Sequence, residues 1–99
     1  METFAVLWSE SGRAPHVGRL ELTGEELRFD GRRTQSVRYA DIESVHVARD
    51  SDARIGGRPA LVLDLAAGGS LRIASFAGVG VLTELAERLS LLSAAGKVA

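Results

Sequence analysis

The chain has 99 residues, 12 of them basic and 13 acidic, and contains no cysteine. That length makes one domain with one core, and the missing cysteines exclude a disulfide framework, a thiolate zinc site and a cysteine nucleophile. A net charge of −1 supplies no global field toward nucleic acid or membrane, so any charge-driven function is local.

The opening residues METFAVLWSESG lack a basic leader and a small-residue cleavage site, so no signal peptide is expected. No apolar run approaches the ~20 residues that span a bilayer. The chain therefore reads as cytoplasmic, a single domain over 1–99 with an ordered core from about residue 4 to 92 and a frayed tail over 93–99.

Phe4, Val6 and Trp8 begin a strand that is apolar on both sides, as expected of a central strand. Gly12 and Pro15 break the next stretch into a loop. Leu20 and Leu22 then alternate with Arg19 and Glu21, Thr23 to Glu26 turns the chain, and Leu27 and Phe29 face in around Arg28. This is a hairpin pattern, and Asp30-Gly31 is a strong turn pair after it. Ser36 to Tyr39 gives a short strand, and Ala40-Asp41 is expected to turn with the carboxylate accepting from backbone N–H groups. Ile42, Val45 and Val47 mark another strand. Arg49 to Pro59 is the longest loop, with Ile55 its only apolar anchor. Leu61 to Leu65 and Leu71 to Ile73 give two more strands around the turn Ala67-Gly68-Gly69-Ser70.

Val79, Leu82, Leu85, Ala86, Leu89 and Leu92 fall on one side of a 3.6-residue helix, the only convincing helix in the chain. Ser75 or Gly78 is its expected start. Glu84 and Arg88 stand at i, i+4 on the solvated side. Leu91 falls off the apolar stripe, which marks it as a contact outside the domain. The leucines fill fewer than two heptads, short of a coiled-coil seam, so a monomer or weak dimer is expected. Antiparallel pairing follows, because no connection between strands is long enough for a crossover helix. The fold class is mainly β with one C-terminal α-helix, a partly open antiparallel barrel of about seven strands capped by the helix.

The hairpin GRLELTGEELRFDG (18–31), the strand-turn-strand SVRYADIESVHV (36–47), the glycine-containing loop before LVLDL, the Gly68-Gly69 hairpin and the terminal helix resemble a small bacterial pleckstrin-homology-like domain, akin to GRAM-type domains. The resemblance covers Phe4 to about Leu92 and rests on element order. It departs from many eukaryotic members, which carry a Trp in the closing helix, whereas the single Trp here is Trp8 in the first strand. It implies a bent seven-stranded barrel plugged by the helix, with phosphoinositide headgroups or partner peptides as usual ligands. In such a barrel the first and third inter-strand loops lie side by side, so Arg13, His16, Arg19, Arg28, Arg32 and Arg33 would converge on an anion. Arginine forks suit phosphate. The family's phosphoinositide signature wants a basic residue where Glu21 stands, and an acid there repels phosphate.

Catalytic and cofactor chemistry finds little to work with. His16 and His46 are the only histidines, the side chain type whose unperturbed pKa lies near neutrality, and their spacing offers no nucleophile–base pair. Asp50-Ser51-Asp52 opens like a calcium loop, but Ile55 stands where glycine is wanted and Leu61 where a bidentate Glu is required. Gly78-Val79-Gly80 lacks the remainder of a phosphate-cradling loop. Nucleic acid binding wants exposed aromatics, and Phe4, Trp8, Phe29 and Tyr39 all fall on inward parity. The expectation is a non-enzymatic module without metal or cofactor that binds a protein or peptide through Arg54, Ile55 and Leu91 and by strand addition at a sheet edge or helix-side groove. An anionic membrane surface bound through the Arg13 to Arg33 cluster is the alternative.

Overall fold

The computed structural model describes residues 2–10, 13–31, 34–48 and 55–97. Seven strands are present: β1 (Glu2–Glu10), β2 (His16–Leu22), β3 (Glu26–Gly31), β4 (Thr34–Arg38), β5 (Ile42–Ala48), β6 (Ala60–Leu65) and β7 (Ser70–Ser75). A 3₁₀ turn (Tyr39–Asp41) joins β4 to β5, and α1 (Val79–Lys97) closes the chain. The strands form one antiparallel sheet in the order β4-β3-β2-β1-β7-β6-β5, curled into a half-barrel. β1 is the middle strand. It pairs with β2 from Glu2↔Leu22 to Trp8↔His16 and with β7 from Val6↔Ser75 to Glu10↔Leu71.

Period-two patterning puts Val6, Trp8, Leu20, Phe29, Leu63 and Ile73 on the concave face, each at most 1% exposed. Leu82, Leu85 and Leu89 of α1 join them in the same cluster, with Ala86 and Leu92 packed against it, so the stripe read from the sequence packs from Leu82 to Leu92. Each buried leucine contributes about 1.5–3 kcal/mol by leaving water. Trp8 sits at the centre, stacked on Phe29 at 4.9 Å between ring centroids. Gly18 and Gly31 face each other across β2 and β3 beside it. A Cβ on Gly18 would lie 2.7 Å from the indole Cζ3 and would also meet the Asp30 carbonyl. A Cβ on Gly31 would lie 2.7 Å from the Val17 carbonyl. The paired glycines let the sheet and the indole approach each other.

A second, smaller cluster lies apart from the main one. Ile55, Ala60 and Ala74 are buried together with Leu7 packed against them. Leu7 points opposite to Val6 and Trp8 on β1, so this cluster belongs to the convex face. Ile55 and Arg58 pair through two backbone hydrogen bonds of 3.1 and 3.0 Å. Between them Gly56 and Gly57 have φ of +56° and +78°, the doubly positive turn that glycine supports best. Ile55 thus keeps its expected role as anchor. As a partner contact it is corrected, because only 4% of it is exposed.

Several local expectations also change. Asp30-Gly31 stands at the turn the sequence expects, since Asp30 is the last β3 residue paired with β4, opposite Thr34, but Gly31 also keeps its pairing with Gly18 of β2, where the indole needs it. At the β4–β5 corner a 3₁₀ turn replaces the carboxylate-stabilised turn: Ile42 N–H bonds back to the Tyr39 carbonyl. The Asp41 carbonyl, not its carboxylate, accepts from Ala66 N–H at 2.9 Å. Ser75 ends β7, where its hydroxyl accepts from Ala77 N–H at 3.0 Å. Gly78, with φ +106°, accepts the first α1 bond from Leu82 N–H at 3.4 Å and so is the start that the sequence offered as one of two. The expected frayed tail is helical as far as Lys97. Its anchor is Ser93, 6% exposed, whose hydroxyl donates to the Ile42 carbonyl at 2.9 Å.

Candidate functional site

The sheet ends at β5, and α1 runs beside that edge. Ser93 bonds to Ile42 at one end of β5 and fixes the distance between the two elements. Beyond that bond a groove of about 250 Å³ opens, with Glu43, Ser44 and Val45 on the strand bank and Ser90, Ser93 and Ala94 on the helix bank. The helix bank is low because its side chains are small. Val45 is half-buried against the core and supplies the apolar part of the floor. Leu91, 73% exposed, is one residue from Ser90 and three from Ala94, on the next row of the helix surface. The sequence identified this leucine as unaccounted for by the core. The groove itself was not visible there, since it is made by residues about 50 positions apart in the chain.

On the outer face of the same strand the fold assembles Ser44, His46 and Asp64, which the spacing alone did not connect. Ser44 is paired with Asp64 in the sheet register and His46 follows two residues on. Ser44 Oγ donates to Asp64 Oδ2 at 2.6 Å, and His46 Nδ1 lies 4.0 Å from the same oxygen. The three side chains lie at the surface, with His46 and Asp64 side chains 55% and 44% exposed. A nucleophilic serine gives its proton to the imidazole. Here the serine proton is directed to the carboxylate, and the histidine flanks that carboxylate from the other side. The arrangement is a surface hydrogen-bond group that stiffens the β5–β6 pair, not a nucleophile–base pair.

The basic residues separate into different surroundings. Arg13 lines a concavity of about 370 Å³ at the loop end of the half-barrel, together with Glu10, Gln35, Gly68, Gly69 and Ser70. Arg19 lines another, of about 620 Å³, on the outer side of β1–β3 beside Asp30, its register partner. Arg28 donates to Glu26 Oε1 at 3.3 Å. His16 is half-buried with its ring 5.6 Å from that of Trp8. Arg32, Arg33 and Arg54 lie outside the described residues. Among those described, Arg13 alone stands in the loop-end concavity, and Glu10 stands there with it.

Among the described residues no group of three or more His, Asp or Glu side chains could hold a metal ion, and no helix is long and apolar enough to cross a membrane. No protein-family model matches the sequence, and no curated protein matches it. A solved structure, the C-terminal domain of an unknown protein from Leishmania infantum, is similar over 91% of this chain and 83% of that one, with a TM-score of 0.71 and 15% identity. At that identity the likeness is one of fold.

Proposed function

We propose that the protein is a non-enzymatic interaction module of the pleckstrin-homology-like kind, and that it takes an extended segment of a protein partner as an additional strand on β5, laid along α1. The observation that carries this reading is the end of the sheet at β5 beside a groove whose helix bank is kept low by Ser90, Ser93 and Ala94. An open strand edge offers a row of backbone donors and acceptors, and an added strand satisfies them while neighbouring pockets read alternate side chains. The antiparallel half-barrel with one terminal helix supports the family resemblance, and Leu91 extends the contact beyond the groove.

Anion binding through clustered arginines has weaker support. Arg13, Arg19 and Arg28 are distributed over different surroundings, each with a carboxylate of its own: Glu10, Asp30 and Glu26.

Ser90→Trp and Ala94→Trp test the reading, because both positions are exposed and a large ring there plugs the groove without entering the core. Peptides selected from a random display library on the unaltered protein are expected to lose binding to both plugged variants. Peptides that bind the plugged variants as tightly as the unaltered protein overturn it.

A further inference from the structure

We infer that the segment received between β5 and α1 is cationic, a strand whose lysine or arginine side chains reach the carboxylates on the two banks while small side chains pass over Val45, Ser90 and Ala94. This rests on the strand-addition reading and adds the chemistry of the partner.

The inference comes from the distribution of charge around the groove. Glu43 lies on the strand bank. Glu87 precedes Ser90 by three residues and Ala94 by seven, which puts it on the same row of α1 as these two groove-lining residues. Asp41 stands two residues before Glu43, in the 3₁₀ turn against which α1 packs. All three are exposed. Glu43 has a further interaction within the protein, so the attraction is shared with Glu87 and Asp41 rather than assigned to Glu43 alone. On the outer face of the strand Asp64 adds a fourth carboxylate beside Ser44.

No lysine or arginine lies on β5, whereas the row of Glu87, Ser90 and Ala94 continues three residues on to Lys97 in the last turn of α1, so the charged positions around the groove are Glu43, Glu87 and Asp41 against one lysine. Arg88 is offset from Glu87 by about 100° around the helix and turns away from the groove-lining row. The imidazole of His46 on β5 faces Asp64. Charges at the rim of a groove act chiefly on encounter and on choice of partner, and a local acidic border on a chain of net charge −1 favours one sign of ligand without attracting cations everywhere.

The experiment reads the composition of peptides recovered from a random display library, first on the full chain and then on a Glu43→Lys/Glu87→Lys variant. Groove-dependent peptides, defined by their loss on Ala94→Trp, are expected to be enriched in lysine and arginine on the unaltered protein and to lose or reverse that bias on the charge-reversed one. A synthetic peptide from the first set is expected to bind the charge-reversed protein about three- to tenfold more weakly, as befits exposed charge pairs, and to weaken as salt is added. Groove-dependent peptides without charge bias overturn the inference and leave strand addition standing. A library that yields no groove-dependent peptide overturns both.

Discussion

The indole of Trp8 occupies the space that a side chain on Gly18 would need: a Cβ there would lie 2.7 Å from Cζ3 and 2.9 Å from Cη2. The neighbouring Asp30 carbonyl leaves no room for retreat. Gly18→Ala is therefore expected to destabilise the protein by about 1–3 kcal/mol, the usual cost of overpacking. Gly80→Ala, in α1 with nothing within 4 Å of the new methyl group, is expected to stabilise by about 0.5–1 kcal/mol. Urea denaturation followed by the fluorescence of the single Trp measures both. Equal stability of Gly18→Ala and the parent would contradict the packing described.

The last turns of α1 depend on Ser93. Its hydroxyl is buried and donates to Ile42, so Ser93→Ala leaves a carbonyl short of its partner at a cost of about 1 kcal/mol. Removing residues 93–99 is expected to cost at least as much. Amide exchange should accelerate in Ser90–Ala95 of the Ser93→Ala protein while the centre of β1 stays protected, and unchanged exchange would show the bond to be dispensable.

Tyr39 gives the molecule an alkaline limit. Its hydroxyl donates to the Thr23 carbonyl at 2.7 Å, and burial, with a smaller contribution from the nearby Glu26 carboxylate, raises its pKa above the ordinary value of about 10. The folded-state pKa is above the unfolded one, so this contribution is complete below about pH 10 and is lost as pH rises through the folded-state value. Because the chain has one Tyr, phenolate absorbance reports it alone. A native titration midpoint above 10 is expected, and Tyr39→Phe should remove that part of the alkaline loss of stability. A midpoint at or below 10 would contradict it.

Two leucines of the same helix have opposite fates. Leu89 is fully buried and Leu91 is 73% exposed. Leu89→Ala is expected to cost about 2–5 kcal/mol through the lost burial and the cavity left behind. Leu91→Ala should change stability by no more than about 0.5 kcal/mol, while weakening groove-dependent peptides. Thermal unfolding separates the first pair of outcomes, and a binding titration reads the last.

The succession of strands along the chain, their antiparallel sense and the leucine stripe of α1 were legible because period-two and period-3.6 patterns survive in Leu20, Leu22, Leu27 and Phe29 and in Leu82, Leu85 and Leu89, whereas their order in the sheet was not. Ser93 was not. A serine among alanines near the end of a chain resembles a fraying terminus until the Ile42 carbonyl is placed opposite it. Gly31 was read only in part: beside Asp30 it signals the turn into β4, and only the register with Gly18 shows that the indole needs it as well. Leu91 was picked out correctly as exposed because it breaks the stripe. The groove and the Ser44–His46–Asp64 group depend on pairings distant in sequence, which local patterns do not carry.

The position of β1 decides when the protein becomes complete. One side of this strand is matched by β2, which follows almost at once, but the other waits for β7, more than sixty residues later in the sequence. During synthesis the first four strands emerge as a meander with an unsatisfied seam along β1, and that seam stays open until β7 has been made. Any nascent β1 is thus a sticky border, and long-range closure of this kind makes for slow assembly.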